Sequence, residues 1–112
     1  MTPAIGVPGY AHMRADCLTI LVQTPIMLDD AQALTRAARR KGKRVRLHVS
    51  GGGIGLVNHP GFDWLCRHTE TTICRDCLPT SGYRLNPSLD ARLVPRRYQV
   101  ELLQRSTRVV VL

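Results

Sequence analysis

Two cysteines three residues apart, Cys74 and Cys77, are the residues of this sequence best placed to do chemistry. They follow a β-branched stretch that ends at Ile73, and Pro79 and Gly82 break the chain soon afterwards. Thiols at this spacing can form a disulfide, bind a metal or carry sulfur, and a persistent disulfide is the least expected of these in a reducing compartment. Backbone N–H groups and the helix dipole favour a thiolate where a strand ends and a helical turn begins. The sequence therefore predicts a reactive cysteine pair at the end of a strand.

A run of glycines, Gly51, Gly52 and Gly53, follows another predicted strand and could cradle an anion. It lacks the Lys-Ser/Thr of a P-loop, and Leu56 stands where the pattern GxGxxG requires glycine. A tight loop in which backbone passes close to backbone is the competing interpretation. The functional prediction is limited to N–H groups that lie near the thiols and hold a persulfide or another anion.

The remaining cysteines and histidines raise the alternative of a zinc site. Structural zinc sites commonly use two pairs of closely spaced ligands, and Cys66, His68 and His59 could complete the cysteine pair. Only one residue separates Cys66 from His68, so packing and surface positions on a short helix compete with this interpretation. Cys17 is predicted to lie in the core, and His48 to be a surface or hydrogen-bonded histidine. We expect neither a bound metal nor a cofactor.

Hydrophobic periodicity indicates the elements that position these residues. Strands are predicted over residues 18–22, 44–49, 71–74, 92–94 and 107–112. A helix capped by Asp29 or Asp30 should end in the cationic turn before Gly42. A short helix is expected over 62–69, and another should start at Pro95. The second strand alternates, so one of its faces is expected to stay partly polar, whereas the last strand is expected to be buried.

Alternation of strands and helices predicts the α/β class, a three-layer α/β/α domain with a mainly parallel five-stranded sheet. Right-handed crossovers bring the carboxyl ends of parallel strands to one edge, where ligand sites of such sheets lie. The loops after residues 22, 49 and 73 should meet there. The glycine run and both cysteines are thus expected to share one crevice.

The 112 residues suit one domain, predicted over residues 17–112 and preceded by a loose N-terminal arm over residues 1–16. No apolar run approaches the roughly 20 residues of a membrane-spanning helix, and the arm lacks the apolar core of a signal peptide. We therefore expect a cytoplasmic protein without a membrane partner.

The chain carries a net charge of +8, and seven of its basic residues fall between Arg36 and Arg46. This stretch could bind nucleic acid or an acidic protein. A solvated helix end is the competing interpretation, because cations belong at a helix C-terminus. We expect no specific nucleic-acid recognition, since aromatic residues for stacking make up only 4% of the chain.

The segment Cys74-Arg75-Asp76-Cys77-Leu78-Pro79-Thr80-Ser81-Gly82 resembles the DsrE/DsrF-like family, which includes YchN-like and TusD-like proteins. Members carry a cysteine eight residues before a glycine, as Cys74 precedes Gly82, and some have a second cysteine where Cys77 stands. The helix ending in Lys-Gly, the strand Val-Arg-Leu-His-Val and the closing Arg-Val-Val-Val-Leu are also similar. The resemblance covers about residues 18–112. Family members often have Arg before the glycine, where this chain has Ser81.

The resemblance implies a sulfur relay in which a cysteine persulfide accepts sulfane sulfur and passes it to a partner protein, within a trimer or hexamer. By the family spacing Cys74 would accept sulfur and Cys77 would resolve the persulfide or assist its transfer. Gly82 would belong to the persulfide environment with the glycine run. The alternatives are a non-catalytic structural or regulatory subunit that binds an acidic partner, and a zinc- or nucleic-acid-binding module.

Overall fold

The structure, a computed structural model, describes residues 17–112, so the predicted N-terminal arm lies outside the described residues. These residues form one sheet of five strands: β1 (Cys17–Val22), β2 (Arg44–Val49), β3 (Glu70–Cys74), β4 (Ala91–Val94) and β5 (Arg108–Val111). The strand order is β4-β3-β2-β1-β5, and every neighbouring pair is parallel. The predicted α/β class and parallel five-stranded sheet are confirmed.

Helices make each of the parallel crossovers. The described elements are α1 (Leu28–Arg40) after β1, a 3₁₀ helix (Gly51–Asn58) and α2 (Phe62–His68) after β2, α3 (Leu78–Ser81) after β3, and α4 (Tyr98–Arg105) after β4. The predicted caps of α1 are wrong. Met27 occupies the N-cap position, and Asp29 and Asp30 lie in the first turn instead, where their carboxylates still favour the positive end of the helix dipole.

The main hydrophobic core lies on one face of the sheet. Alternate residues of β1 and β2 point into it, because side chains of a strand alternate between faces, and α1, the 3₁₀ helix and α2 cover them. The largest buried members of this core include Ile20, Leu47, Ile54, Phe62 and Leu65.

The opposite face of the sheet is polar but also covered. Arg46 and His48 of β2 are buried there, next to the buried Thr72 of β3. The expectation of a partly exposed β2 is therefore wrong, since all of its residues except Arg44 are buried. The reason is α4, which crosses this face and brings the Tyr98 ring within 6.3 Å of the His48 ring, between centroids.

The last strand is less buried than predicted. β5 pairs only with β1 at one end of the sheet, and Val111 is 59% exposed. None of the helices within residues 17–112 combines the length and the apolar character that a membrane crossing requires.

Candidate functional site

The two cysteines lie where β3 ends and α3 begins. Cys74 is the last residue of β3, and Cys77 occupies the N-cap position of the four-residue helix α3. The Cys77 N–H donates to the Cys74 carbonyl oxygen at 3.2 Å, which closes the turn. The two Sγ atoms are 3.0 Å apart. Cys74 is 1% exposed, whereas Cys77 is half-buried. The turn thus holds a buried and a more accessible thiol in contact.

Three neighbouring strand ends enclose a cavity of about 390 Å³ beside the thiols. The loop after β2, the cysteine turn after β3 and the segment after β4 all contribute to its wall. Its lining consists of His48, Ser50, Gly51, Cys74, Cys77, Arg96, Gln99 and Val100. The prediction that the glycine run and the cysteines meet at one edge of the sheet is confirmed, because Gly51 and both thiols line the same cavity.

The predicted glycines differ in their positions. Gly51 has a left-handed φ of 53°, and its backbone N–H helps to lower the pKa of Cys77. Gly52 and Gly53 instead pack against the end of β1. A Cβ on Gly52 would lie 2.8 Å from the carbonyl oxygen of Gln23, and a Cβ on Gly53 would collide with the carbonyl of Val22.

The glycine run is therefore not an open loop. It starts the 3₁₀ helix, and close backbone packing accounts for Gly52 and Gly53. Gly82 ends α3 with a left-handed φ of 79° and is not among the described residues that line the cavity.

Arg96 supplies the positive charge of the cavity. It follows β4, lines the cavity, and interacts electrostatically with the thiols of Cys77 and Cys74. Its backbone N–H donates to the Asp76 carboxylate at 2.9 Å, which ties the segment after β4 to the cysteine turn. The sequence analysis missed Arg96. The available signal was its position just after the strand that neighbours β3.

The thiols of the pair differ in acidity. Burial opposes ionisation of Cys77, but hydrogen bonds from Cys74, the Gly51 N–H and Arg96 outweigh it and lower the pKa of Cys77. Burial raises the pKa of Cys74, and the hydrogen bond that it shares with Cys77 raises this pKa further. Cys77 is therefore the more acidic thiol of the pair, and the two sulfur atoms share a hydrogen bond.

His48 is a second residue that the sequence analysis did not place in the site. It is 1% exposed, and its Nδ1 lies 2.9 Å from the Thr72 hydroxyl. Its Nε2 is buried without a hydrogen-bond partner. Burial lowers the pKa of His48. The available signal was a histidine one residue before the end of a strand that leads directly to the glycine run.

The other cysteines and histidines within residues 17–112 serve packing and local hydrogen bonding. Cys17 and Cys66 are buried, and burial raises the pKa of Cys66 to about 11. His59 Nδ1 accepts the Gly61 N–H at 3.0 Å. The His68 ring stacks on Trp64, with centroids 4.2 Å apart. Over residues 17–112, no three His, Cys, Asp or Glu side chains are grouped so that they could hold a metal ion.

The basic stretch lies at the other edge of the sheet, where α1 ends and β2 begins. Several of its side chains make contacts within the chain. The Arg36 guanidinium lies 4.6 Å from the centroid of the Trp64 ring, and Arg44 Nη2 lies 2.5 Å from Glu70 Oε2. The basic stretch is therefore separate from the thiol cavity.

A thiolate beside a cation and a second thiol can attack electrophilic sulfur, and the second thiol can displace what is bound. This chemistry includes persulfide carriage and dithiol–disulfide exchange. Neither a comparison with protein-family models nor a search of curated proteins finds a match to this chain.

Proposed function

We propose that this protein accepts sulfane sulfur as a cysteine persulfide and passes it to a partner protein, as the resemblance to DsrE/DsrF-like proteins implies. The observation that supports it best is the arrangement of two unequal thiols in one cavity with Arg96. The pKa of Cys77 is lowered and that of Cys74 is raised, although their sulfur atoms are only 3.0 Å apart. The Cys77 thiol is thus suited to attack an incoming sulfur atom, and the Cys74 thiol is suited to attack the sulfur that Cys77 then holds.

In this proposal Cys77 is the sulfur acceptor. The family spacing favours Cys74, but Cys74 is 1% exposed and its pKa is raised by burial. The thiolate is the nucleophile in sulfur exchange, and access to it also matters. Cys77 meets both conditions better. Cys74 then becomes the second thiol that resolves the persulfide.

Arg96 and Gly51 would hold the product as well as the attacking thiolate. A persulfide keeps its negative charge on the outer sulfur, next to the carrier sulfur. The Arg96 guanidinium and the Gly51 N–H already favour the charged form of Cys77, and hydrogen bonds to a charged sulfur would be of the stronger kind. The cavity of about 390 Å³ leaves room for the added atom.

The partner in this proposal is a protein thiol that takes the outer sulfur. We place the relay in the cytoplasm, because a reducing compartment keeps the four free cysteines reduced. A trimer or hexamer is proposed on the resemblance. The large side chains of Val100 and Leu103 on α4 are 55% and 43% exposed and offer apolar surface for such an assembly.

Mass spectrometry of the intact protein tests the proposal. Reduced protein is incubated with inorganic polysulfide and separated from excess reagent, and its intact mass is then measured. We expect one added sulfur atom, about 32 Da, which a thiol reductant removes. Cys66→Ser is the control, because that thiol is buried with a pKa raised to about 11 and should not affect loading. An unchanged protein mass after this treatment would contradict the proposal.

Dithiol–disulfide exchange is the second candidate function, and the sulfur contact of 3.0 Å favours it. A redox protein would convert Cys74 and Cys77 to a disulfide and would hold no added sulfur at steady state. A Cys77 persulfide that Cys74 resolves also ends as this disulfide, about 2 Da lighter. The mass is therefore measured at the earliest times, when a sulfur carrier shows the added sulfur and a redox protein does not.

A further inference from the structure

Two hydrogen bonds determine which nitrogen of His48 carries the proton. The Thr72 hydroxyl donates to the Leu47 carbonyl oxygen at 3.4 Å, and a hydroxyl has one proton to donate. His48 Nδ1 lies 2.9 Å from the same hydroxyl oxygen, and we assign Nδ1 as the donor of that hydrogen bond. In a neutral imidazole the other nitrogen is then an acceptor. His48 Nε2 therefore has a free lone pair.

This lone pair belongs to a side chain that lines the thiol cavity. His48 is 1% exposed, and its Nε2 has no hydrogen-bond partner among the described residues. In the parallel register His48 pairs with Thr72, two residues before Cys74 on β3. Side chains two residues apart on a strand share a face, so His48 and Cys74 lie on the same face of neighbouring strands, at the same end.

The charged and titratable groups around the ring keep it neutral. Cys74 and Cys77 face it from the turn after β3, Arg96 from the segment after β4 and Tyr98 from α4. Arg46 precedes it by two residues on the same face of β2. No carboxylate is among the described residues that line the cavity. Burial lowers the pKa of His48, so at neutral pH the imidazole can accept a proton.

We propose that His48 accepts the proton of Cys74 when Cys74 attacks a sulfur atom held on Cys77. A bond forms between the two cysteine sulfurs, and the bond from Cys77 to its outer sulfur breaks. The outer sulfur leaves with the electron pair. The Cys74 proton passes to His48 Nε2 through one water molecule in the cavity. With the persulfide proposed above as the cargo, and no partner thiol present to take its outer sulfur, the imidazolium returns this proton to the departing sulfur. The two thiols are then oxidised to a disulfide, and the sulfane sulfur leaves as HS⁻.

Cys74 needs such an acceptor more than Cys77 does. Burial raises the pKa of the Cys74 thiol, so this thiol is protonated at neutral pH. Its side chain is 1% exposed, which keeps hydroxide and buffer bases away from it. An acceptor inside the cavity removes both obstacles. This inference rests on the persulfide function only for the identity of the leaving sulfur. The same proton transfer applies to any sulfur group held on Cys77.

An aromatic disulfide that releases a coloured thiolate tests the proposal without any sulfane sulfur. Cys77 displaces one thiolate as the mixed disulfide forms, and Cys74 displaces the second as the internal disulfide closes. Stopped-flow absorbance follows the two stages separately. The variant is His48→Gln. Arg46→Gln is the matched control, because it removes a buried cationic side chain from the same face of β2 outside the thiol cavity.

We expect His48→Gln to leave the first stage unchanged and to slow the second stage about 100-fold at pH 7, the lower end of general-base effects. In the unmodified protein, the second-stage rate should fall as the pH drops through the pKa of His48, followed by NMR of its ring protons. This pH profile is measured on the protein without a substitution, so it does not depend on whether a variant folds. Arg46→Gln should keep both stages close to those of the unmodified protein.

A second-stage rate for His48→Gln within about twofold of the unmodified protein, well below the general-base range, would overturn the proposal. Equal slowing in Arg46→Gln, or a pH midpoint that does not follow the His48 ring, would also overturn it. Failure of Cys74→Ser, which cannot resolve a persulfide, to gain sulfur from polysulfide would instead contradict the persulfide function and leave the two-stage result standing. The two proposals can therefore fail separately.

Discussion

At the scale of single residues, Arg96 distinguishes this cysteine pair from two buried thiols. Its guanidinium interacts electrostatically with both thiols and contributes to the lowered pKa of Cys77. The same residue is exposed, so solvent weakens its effect. The contribution of Arg96 to the lowered pKa of Cys77 is therefore expected to be small.

Replacement of Arg96 by Gln should make Cys77 less reactive. Loss of the cation raises the pKa of Cys77, since burial continues to oppose ionisation. We expect alkylation of Cys77 by iodoacetamide at pH 7 to slow by a factor of about two to five, as suits an exposed ionic contact. The pH midpoint of alkylation should move upward. Arg97→Gln is the control, because its neighbouring side chain is also exposed. An unchanged Arg96→Gln rate would show that the cation does not influence the thiol.

The sequence predicted part of this site. The strand-end position of Cys74 and Cys77 and their encounter with Gly51 followed from the rule that parallel strands end at one edge. Arg96 and His48 could not be chosen in the same way. Arg96 depends on β4 lying beside β3, and His48 depends on which face α4 covers. Neither arrangement is encoded in local spacing.

At the scale of the secondary-structure elements, the 3₁₀ helix after β2 fixes the place of Gly51. Its second and third glycines pack against the carboxyl end of β1. The Ser50 N–H also donates to the Val22 carbonyl oxygen at 3.1 Å. This contact holds the start of the helix beside the cysteine turn.

Gly53→Ala should destabilise the fold because its Cβ would collide with the Val22 carbonyl, which belongs to the backbone and cannot rotate away. We expect a loss of about 1–3 kcal/mol, typical of overpacking, seen as a lower midpoint in urea denaturation. Gly82→Ala is the control. Its Cβ would meet nothing within 4 Å, so only the left-handed φ of 79° should penalise it, by about 1 kcal/mol. A Gly53→Ala midpoint above that of Gly82→Ala would contradict the packing argument.

The elements themselves were largely predictable, and the burial of their faces was less so. Continuous apolar runs identified β1, and alternating apolar residues identified β2. The alternation of β2 suggested an exposed face, yet Arg46 and His48 are buried. A polar side chain on a strand can face either solvent or a covering helix, and α4 decides between them. The 3₁₀ helix was missed because four glycines within Gly51–Gly55 resemble a loop.

At the scale of the whole molecule, apolar surface remains on the side of the sheet that α4 covers. Val100 and Leu103 on α4 are 55% and 43% exposed, and Val111 on β5 is 59% exposed. Apolar side chains of this kind are common at interfaces between subunits. They support the assembly that the resemblance implies.

Light scattering at micromolar concentration should therefore report a trimer or a hexamer. Leu103→Lys should shift the protein toward smaller species, because a charge would be desolvated at the interface. Ile26→Lys is the control, since Ile26 is 83% exposed but belongs to the turn before α1 and not to α4. A monomer in the unmodified protein would contradict the proposed assembly.

The basic stretch from Arg36 to Arg46 should bind nucleic acid only weakly. Some of its cations already contact Trp64 and Glu70, and specific recognition needs side chains aimed at base edges. We expect a gel-shift titration to show sequence-independent binding that falls steeply as salt rises to about 0.15 M. Tight retention of one sequence at that salt would favour a nucleic-acid-binding module instead of a sulfur relay.

The most direct test of the account is to locate the added sulfur. After incubation with inorganic polysulfide, the protein is alkylated, digested and sequenced by mass spectrometry. We predict an adduct of about 32 Da on Cys77 in the unmodified protein. Cys74→Ser should retain this adduct for longer, because its resolving thiol is absent, and Cys77→Ser should carry none. An adduct on Cys74 in the Cys77→Ser variant, or no adduct on either cysteine, would contradict the claim that Cys77 carries the sulfur.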